Sequence, residues 1–251
     1  MTHAATRIFA LFTLLFVMAG SAAAAETRVG VFTYHTHPPF VTGQQQGLTY
    51  DLARYLSDKS DGRYVFKVSE MSRPRINKSI TKEQSAIVPW VNPVWFGDKE
   101  ETKHTWTAGA LMTDGNAVVT RSDTALDYNG PASIDGMVLG GLKGHRYSGL
   151  DDYIEQSAST RRVDADSHTV NFRKLLDKQT DVMLIPKSGA LFVIKQKQIE
   201  DQVYISPTPH SSYARRVMVL AGQGELKAYL DSILAGLDND PAWKEIMSAY
   251  Q

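Results

Sequence analysis

The sequence predicts an α/β protein with mostly parallel sheets. Two observations carry this. Short strand-patterned segments alternate with segments of helical period along the chain. The first strand, opening at Arg28-Val29-Gly30-Val31, carries apolar side chains on both of its faces. A strand covered on both sides by helices has that pattern.

Each element follows from local pattern. Val29, Val31 and Thr33 alternate with Gly30, Phe32 and Tyr34, and Pro38-Pro39 stops the extended run. Leu48, Leu52, Tyr55 and Leu56 share one helical face. Tyr64, Phe66 and Val68 mark a second strand. Ser72-Arg73-Pro74-Arg75 reads as a helix start, with Ile76 and Ile80 on its buried face. Residues 86–91 form a third strand, and Pro89 within it predicts an edge or the strand's last turn. An irregular aromatic loop follows from Asn92 to Gly97, then a charged surface run over residues 98–103. Residues 106–119 are extended, with a turn expected at Asp114-Gly115.

A second series begins at Met137. Met137 to Gly141 is a strand, and Gly144-His145-Arg146-Tyr147-Ser148 turns into a helix carrying Leu150, Tyr153 and Ile154. Residues 161–164 form a short strand, and Ser167 caps a helix with Val170, Leu175 and Leu176. Asp181 to Ile185 is a buried-type strand, and residues 190–197 are helical. Strands at 203–205 and 216–220 flank Pro207-Thr208-Pro209. Leu226, Leu230, Ile233, Leu234 and Leu237 form one long helical face, and Pro241 opens a terminal helix with Trp243, Ile246 and Met247.

Composition narrows the class. At 251 residues and 43% hydrophobic, the chain suits one large domain or two smaller ones. A formal net charge of +0 gives no sign of nucleic acid. Arg7, the apolar run 8–18 and Ala23-Ala24-Ala25 make a secretory signal peptide over residues 1–25, with cleavage after Ala25. The run is too short for a membrane anchor, which needs about 20 apolar residues. With no cysteine, disulfides and a lipid-anchored lipoprotein are both excluded. The expected product is a soluble, monomeric periplasmic protein.

Arg28-Val29-Gly30-Val31, then Pro38-Pro39-Phe40, then Gly47-Leu48-Thr49-Tyr50-Asp51-Leu52-Ala53, resemble the periplasmic solute-binding proteins of the polar amino-acid family, extracellular solute-binding family three. Residues 136–147 resemble that family's strand and glycine turn into a helix. Asp181-Val182-Met183 and the two terminal helices resemble its later elements. The resemblance covers the mature chain. It implies a two-lobed type II periplasmic-binding fold: lobe 1 from residues 26–109 and 208–251, lobe 2 from 110–207, with crossings near 108–112 and 206–212. A solute is trapped between the lobes, and the partner is an inner-membrane ABC permease or a sensor kinase.

The chain departs from the family at the amino-acid clamp. The family holds the carboxylate with an arginine after the third strand, where this chain has Phe96-Gly97-Asp98-Lys99-Glu100. Lys99 could replace the charge but not the bidentate fork. The family's ammonium-binding aspartate falls on Pro186, and its two small hydroxyl residues fall on Trp90 and Asn92. The expected ligand is therefore a small polar or aromatic solute, not a standard α-amino acid.

The candidate ligand contacts are Tyr34, His37, Arg75, Trp90, Asn92, Trp95, His145, Arg146 and Tyr147. Tryptophans supply a flat wall, although a core position suits Trp90 and Trp95 equally. His145 and Arg146 precede a helix start, which favours an anion, while a solvated arginine is the plainer reading of Arg146. Arg75 reads either as a cleft residue or as a surface charge. His35-Thr36-His37 offers two imidazoles but no third ligand, so no metal is expected. Gly140-Gly141-x-x-Gly144 does not meet a dinucleotide pattern. With no hydrolase, zincin or phosphate-loop motif, the expectation is a binding protein without cofactor; an enzyme on the same fold, dehydratase-like, is the remoter alternative.

Overall fold

The computed structural model describes residues 26–81, 85–157 and 159–250. The expected signal peptide, residues 1–25, lies outside the described residues. The chain enters as β1 (Thr27–Thr33), passes Pro38-Pro39 and continues as α1 (Leu48–Asp58). Leu48, Leu52, Tyr55 and Leu56 are buried along one face of α1, as their spacing requires. β2 (Tyr64–Glu70) runs parallel to β1 from Thr27↔Tyr64 to Thr33↔Glu70. α2 (Arg73–Ser79) holds Pro74 in its first turn, where a missing N–H costs nothing, and buries Ile76. β3 (Ala86–Val91) is buried along its whole length on the other side of β1.

After β4 (Thr105–Trp106) comes β5 (Met112–Arg121), one continuous strand. The turn expected at Asp114-Gly115 is absent. Glycine is needed there because the backbone of a neighbouring strand comes close: a methyl group would run into the carbonyl oxygen of Ser211. The second series is β6 (Val138–Leu142), α3 (Leu150–Ser157), β7 (Arg161–Ala165), α4 (His168–Leu176), β8 (Val182–Pro186) and α5 (Lys187–Lys197). The chain returns through β9 (Val203–Ile205) and β10 (Ser211–Val219), and ends in α6 (Gly224–Leu234) and α7 (Pro241–Ser248).

The strand order is β2-β1-β3-β10-β5-β8-β6-β7, with β4 on β10 and β9 on β5. β10 belongs to both halves of this sheet. Ser211 to Arg215 pair with β5, and Arg216 to Val219 pair with β3. The outer strands of each half are parallel, as expected; β5 and β10 run antiparallel to their neighbours because the chain crosses between the halves in opposite directions. Each half has its own core. The first half packs Val31, Leu52, Leu230 and Trp243 on one face, and Phe32, Ile76 and Val88 on the other. The second packs Phe172, Met183 and Val193 on one face, and Leu139, Tyr147 and Leu184 on the other.

Pro89 is not at an edge, since β3 lies between β1 and β10. It sits just past Ile87, where pairing with β1 stops, and the β10 register shifts between Arg216 and Met218. Trp90 beside it has φ 67°. The proline is accommodated by this irregularity, which demands no N–H from it. Among the described residues no helix is long and apolar enough to cross a membrane.

Candidate functional site

The two halves face each other across β5 and β10. From the first half come the residues after β1 (Tyr34, His35, His37) and the turn Pro93–Phe96 after β3. Asn92 fixes that turn: its Oδ1 accepts Val94 N–H at 3.0 Å, and its Nδ2 donates to the Ala214 carbonyl at 3.0 Å. Trp95 is thereby held edge-on to Tyr213, with ring centroids 5.0 Å apart.

Arg215 and Asp114 lie at the floor, 1% and 4% exposed. Arg215 Nε donates to Asp114 Oδ2 at 2.7 Å, Nη1 to the Trp90 carbonyl at 2.8 Å, and Nη2 to Tyr213 Oη at 3.4 Å. The rings of Phe40, Trp95 and Tyr213 surround its guanidinium at 4.7, 5.4 and 5.3 Å. Asp114 also accepts Gly115 N–H, Ser188 N–H and, at 2.7 Å, Ser188 Oγ–H. Ser188 opens α5, so this one carboxylate ties the crossing strands to the second half. A cavity of about 240 Å³ reaches Asp114 and Ser188 from between Pro39, Leu48, Lys187 and Tyr250.

Four imidazoles stand above this floor. His37 lies 5.8 Å from His35 and 6.0 Å from His168, centroid to centroid. His168 is the first residue of α4, so the His37–His168 contact joins the two halves. His145, after β6, is the fourth. Burial pushes His37 down to about 3, helped by His168 and Arg215 and opposed by Asp114. Burial and then His145 push His168 down to about 4. His35 falls well below 6.5, first by burial and then by Arg215.

These shifts give a pH dependence of definite sign. Both imidazoles hold their protons less well here than at the ordinary 6.5. Their contribution is complete above that value and is lost as pH falls through 6.5 towards 4 and 3. Each neutral imidazole then forfeits up to about 1.4 kcal/mol per pH unit. The expected result is a melting temperature that declines between pH 6.5 and 4.5, with a smaller decline in the His37→Gln/His168→Gln variant. An equal decline in both proteins would remove these imidazoles from the explanation.

The predicted contacts divide. Tyr34, His37 and Trp95 are half-buried near Arg215, and Asn92 fixes the turn that carries Trp95. Trp90 does not line it. It is fully buried in the first core, Nε1 donating to Thr49 Oγ1 at 3.0 Å and its ring stacked at 16° to that of Trp243. Tyr147 is likewise core, 1% exposed, with Oη against the Leu184 carbonyl. Both aromatics find apolar packing together with a partner for their polar atom. Arg75 and Arg146 are exposed, the latter pairing with Asp152. The turn at Gly144 does not lead directly into a helix: α3 starts at Leu150, and Asp151 accepts Tyr147 N–H and pairs with Arg162. The chain's own carboxylate therefore occupies the position expected for an anion. Arg215, Asp114 and His168 were missed. Arg215-Arg216 inside a strand was the available signal, since period two turns one of two adjacent arginines inward.

No protein-family model and no curated protein matches the sequence. Solved structures do match the fold. An ancestral arginine-binding protein bound to arginine is 18% identical, with a TM-score of 0.64 over 90% of this chain and 98% of that one. An ancestral cationic amino acid solute-binding protein is 16% identical, with a TM-score of 0.68 over 90% and 95%. The periplasmic VFT2 domain of BvgS from Bordetella pertussis is 16% identical, with a TM-score of 0.59 over 89% and 93%. At such identities the likeness is one of fold. With β5 and β10 as its crossing strands, the chain has the two-lobed fold of type II periplasmic-binding proteins.

Proposed function

We propose that this chain is an exported, periplasmic solute-binding protein that traps a small polar or aromatic solute between its lobes and passes it to an inner-membrane ABC permease. The lobes are residues 26–109 with 208–251, and 110–207. The observation that carries the reading is the meeting of His37 and His168, one from each half, over the floor of Arg215 and Asp114. Such a site is completed only by closure, so binding and hinge motion are one event. Tyr34, His37 and Trp95 touch the solute. The solute is not a standard α-amino acid, and binding without turnover is expected.

The likeness to the BvgS domain supports a second reading, a sensing module that reports closure to a membrane kinase. Genomic neighbours separate the two: permease and ATPase genes favour transport, a kinase gene favours sensing. The test of both is mass spectrometry of small molecules released from protein purified out of the periplasm, followed by small-angle scattering with whatever is found. Compaction at saturating solute is expected. A solute that saturates the protein without changing its radius of gyration would overturn capture by closure.

A further inference from the structure

The cleft's charges and its unpartnered nitrogens together define a class of solute. His35 Nε2, His37 Nε2 and His168 Nδ1 are buried without a hydrogen-bond partner. His35 and His37 come from the loop after β1, and His168 from α4 in the other half. A buried polar atom without a partner is costly, and such atoms meeting from the two halves call for a group that joins them when the halves part. The carboxylates around them are already engaged. Asp114 accepts four hydrogen bonds, Asp151 holds Tyr147 N–H and Arg162, and Glu70 accepts from Tyr50. Arg73 is the contrasting case. Among the described residues its guanidinium meets neutral acceptors, Asn77 Oδ1, Tyr34 Oη and the Trp95 carbonyl. Among the described residues near the imidazoles, a cationic solute would thus find the carboxylates already hydrogen-bonded, while a negative one would find Arg73 and the imidazole nitrogens.

We propose that the solute is an organic anion whose carboxylate, or an equivalent oxyanion, sits between His37 and His168. The inference rests on the solute-binding reading and names its ligand class. His37 is faced by His35 on its own loop, Arg215 on β10, Asp114 on β5, His145 after β6 and His168 on α4. His168 is faced by His145 and His37, and His145 in turn by Arg162 and Asp151. Among these groups Asp114 is the negative one, and Arg215 already pairs with it. An anion between the lobes supplies the missing counter-charge and helps an imidazole keep a proton. Binding therefore takes up protons, and affinity rises as pH falls through the ordinary imidazole range.

Benzoate, benzamide and benzamidine provide one shape in three charge states, and calorimetry on the mature chain at mildly acidic pH compares them. Benzoate is expected to bind at least about tenfold more tightly than benzamide, with benzamidine silent at roughly 10 mM. Benzoate affinity should fall about tenfold from mildly acidic to mildly alkaline pH, with benzamide unchanged. His37→Leu and His168→Leu should each lose about tenfold, whereas His37→Gln, which keeps a donor, should lose less than about threefold. The charge series on the unmodified chain decides the matter even if a Leu variant fails to fold. Benzamidine binding as well as benzoate, benzamide equalling benzoate, or no benzoate binding at roughly 10 mM would each overturn the proposal. If a different solute then closes the cleft in scattering, solute binding survives and only the anionic class falls. If none does, both fall.

Discussion

Asp114→Ala is expected to lower the stability of the chain by about 3–5 kcal/mol, the usual cost of breaking a buried ion pair from one side. Arg215 would remain 1% exposed with a full charge, its hydrogen bonds reduced to the Trp90 carbonyl and Tyr213 Oη. The three surrounding rings attract a cation, but by less than a carboxylate does. Ser188 at the start of α5 would lose its acceptor as well. The reverse deletion is milder. In Arg215→Met, Asp114 keeps Gly115 N–H from its own strand, and Ser188 N–H and Ser188 Oγ–H at the positive end of α5. Asp114→Ala should therefore cost more than Arg215→Met, and the double variant should cost less than the sum of the two. Urea denaturation of the three variants measures this. A loss below about 1 kcal/mol for Asp114→Ala would mean that Arg215 escapes to solvent, and that the floor of the cleft is not the tie between lobes described above.

Much of this fold was legible because period and punctuation agree along the chain. Leu48, Leu52, Tyr55 and Leu56 could only be a helix face, and Ser167 and Pro241 mark helix starts that the structure repeats. What was not legible depends on a distant partner. Asp114-Gly115 has turn chemistry, yet Ser211 lies across it and draws it into a strand. Pro89 looks like an edge until the register shift of β10 is seen. Trp90 shows the same limit within the site. A tryptophan beside a polar loop suits a ligand wall, and only the positions of Thr49 and Trp243, far along the chain, turn it into the core. The imidazoles were half legible: His37 follows the first strand directly, but His168 meets it only through the packing of the two halves.

The other large effect expected is on specificity: the chain should bind standard α-amino acids two to four decades more weakly than a clamp of the polar amino-acid type would. That clamp, as the sequence resemblance implies, uses an arginine for the carboxylate and an aspartate for the ammonium. Here Lys99 is exposed on the surface turn after Gly97, and Pro186 offers no side-chain acceptor. The cleft does contain an arginine and an aspartate, but Arg215 and Asp114 bind each other, 2.7 Å apart and out of solvent. An amino acid would have to separate them and regain no more than it broke. Two charge-assisted hydrogen bonds are worth about 1.5–3 kcal/mol each, so their loss removes roughly 3–6 kcal/mol. At 1.4 kcal/mol per decade that is about two to four decades. The ammonium adds a further penalty, since it would enter beside Arg73, Arg215 and the imidazoles with Asp114 already occupied. Calorimetry against the common amino acids near neutral pH tests this. Micromolar or tighter binding of any of them would refute it. If that binding vanished in Arg215→Lys, which keeps the charge and loses the planar fork, the floor pair would be identified as a clamp that opens for the ligand.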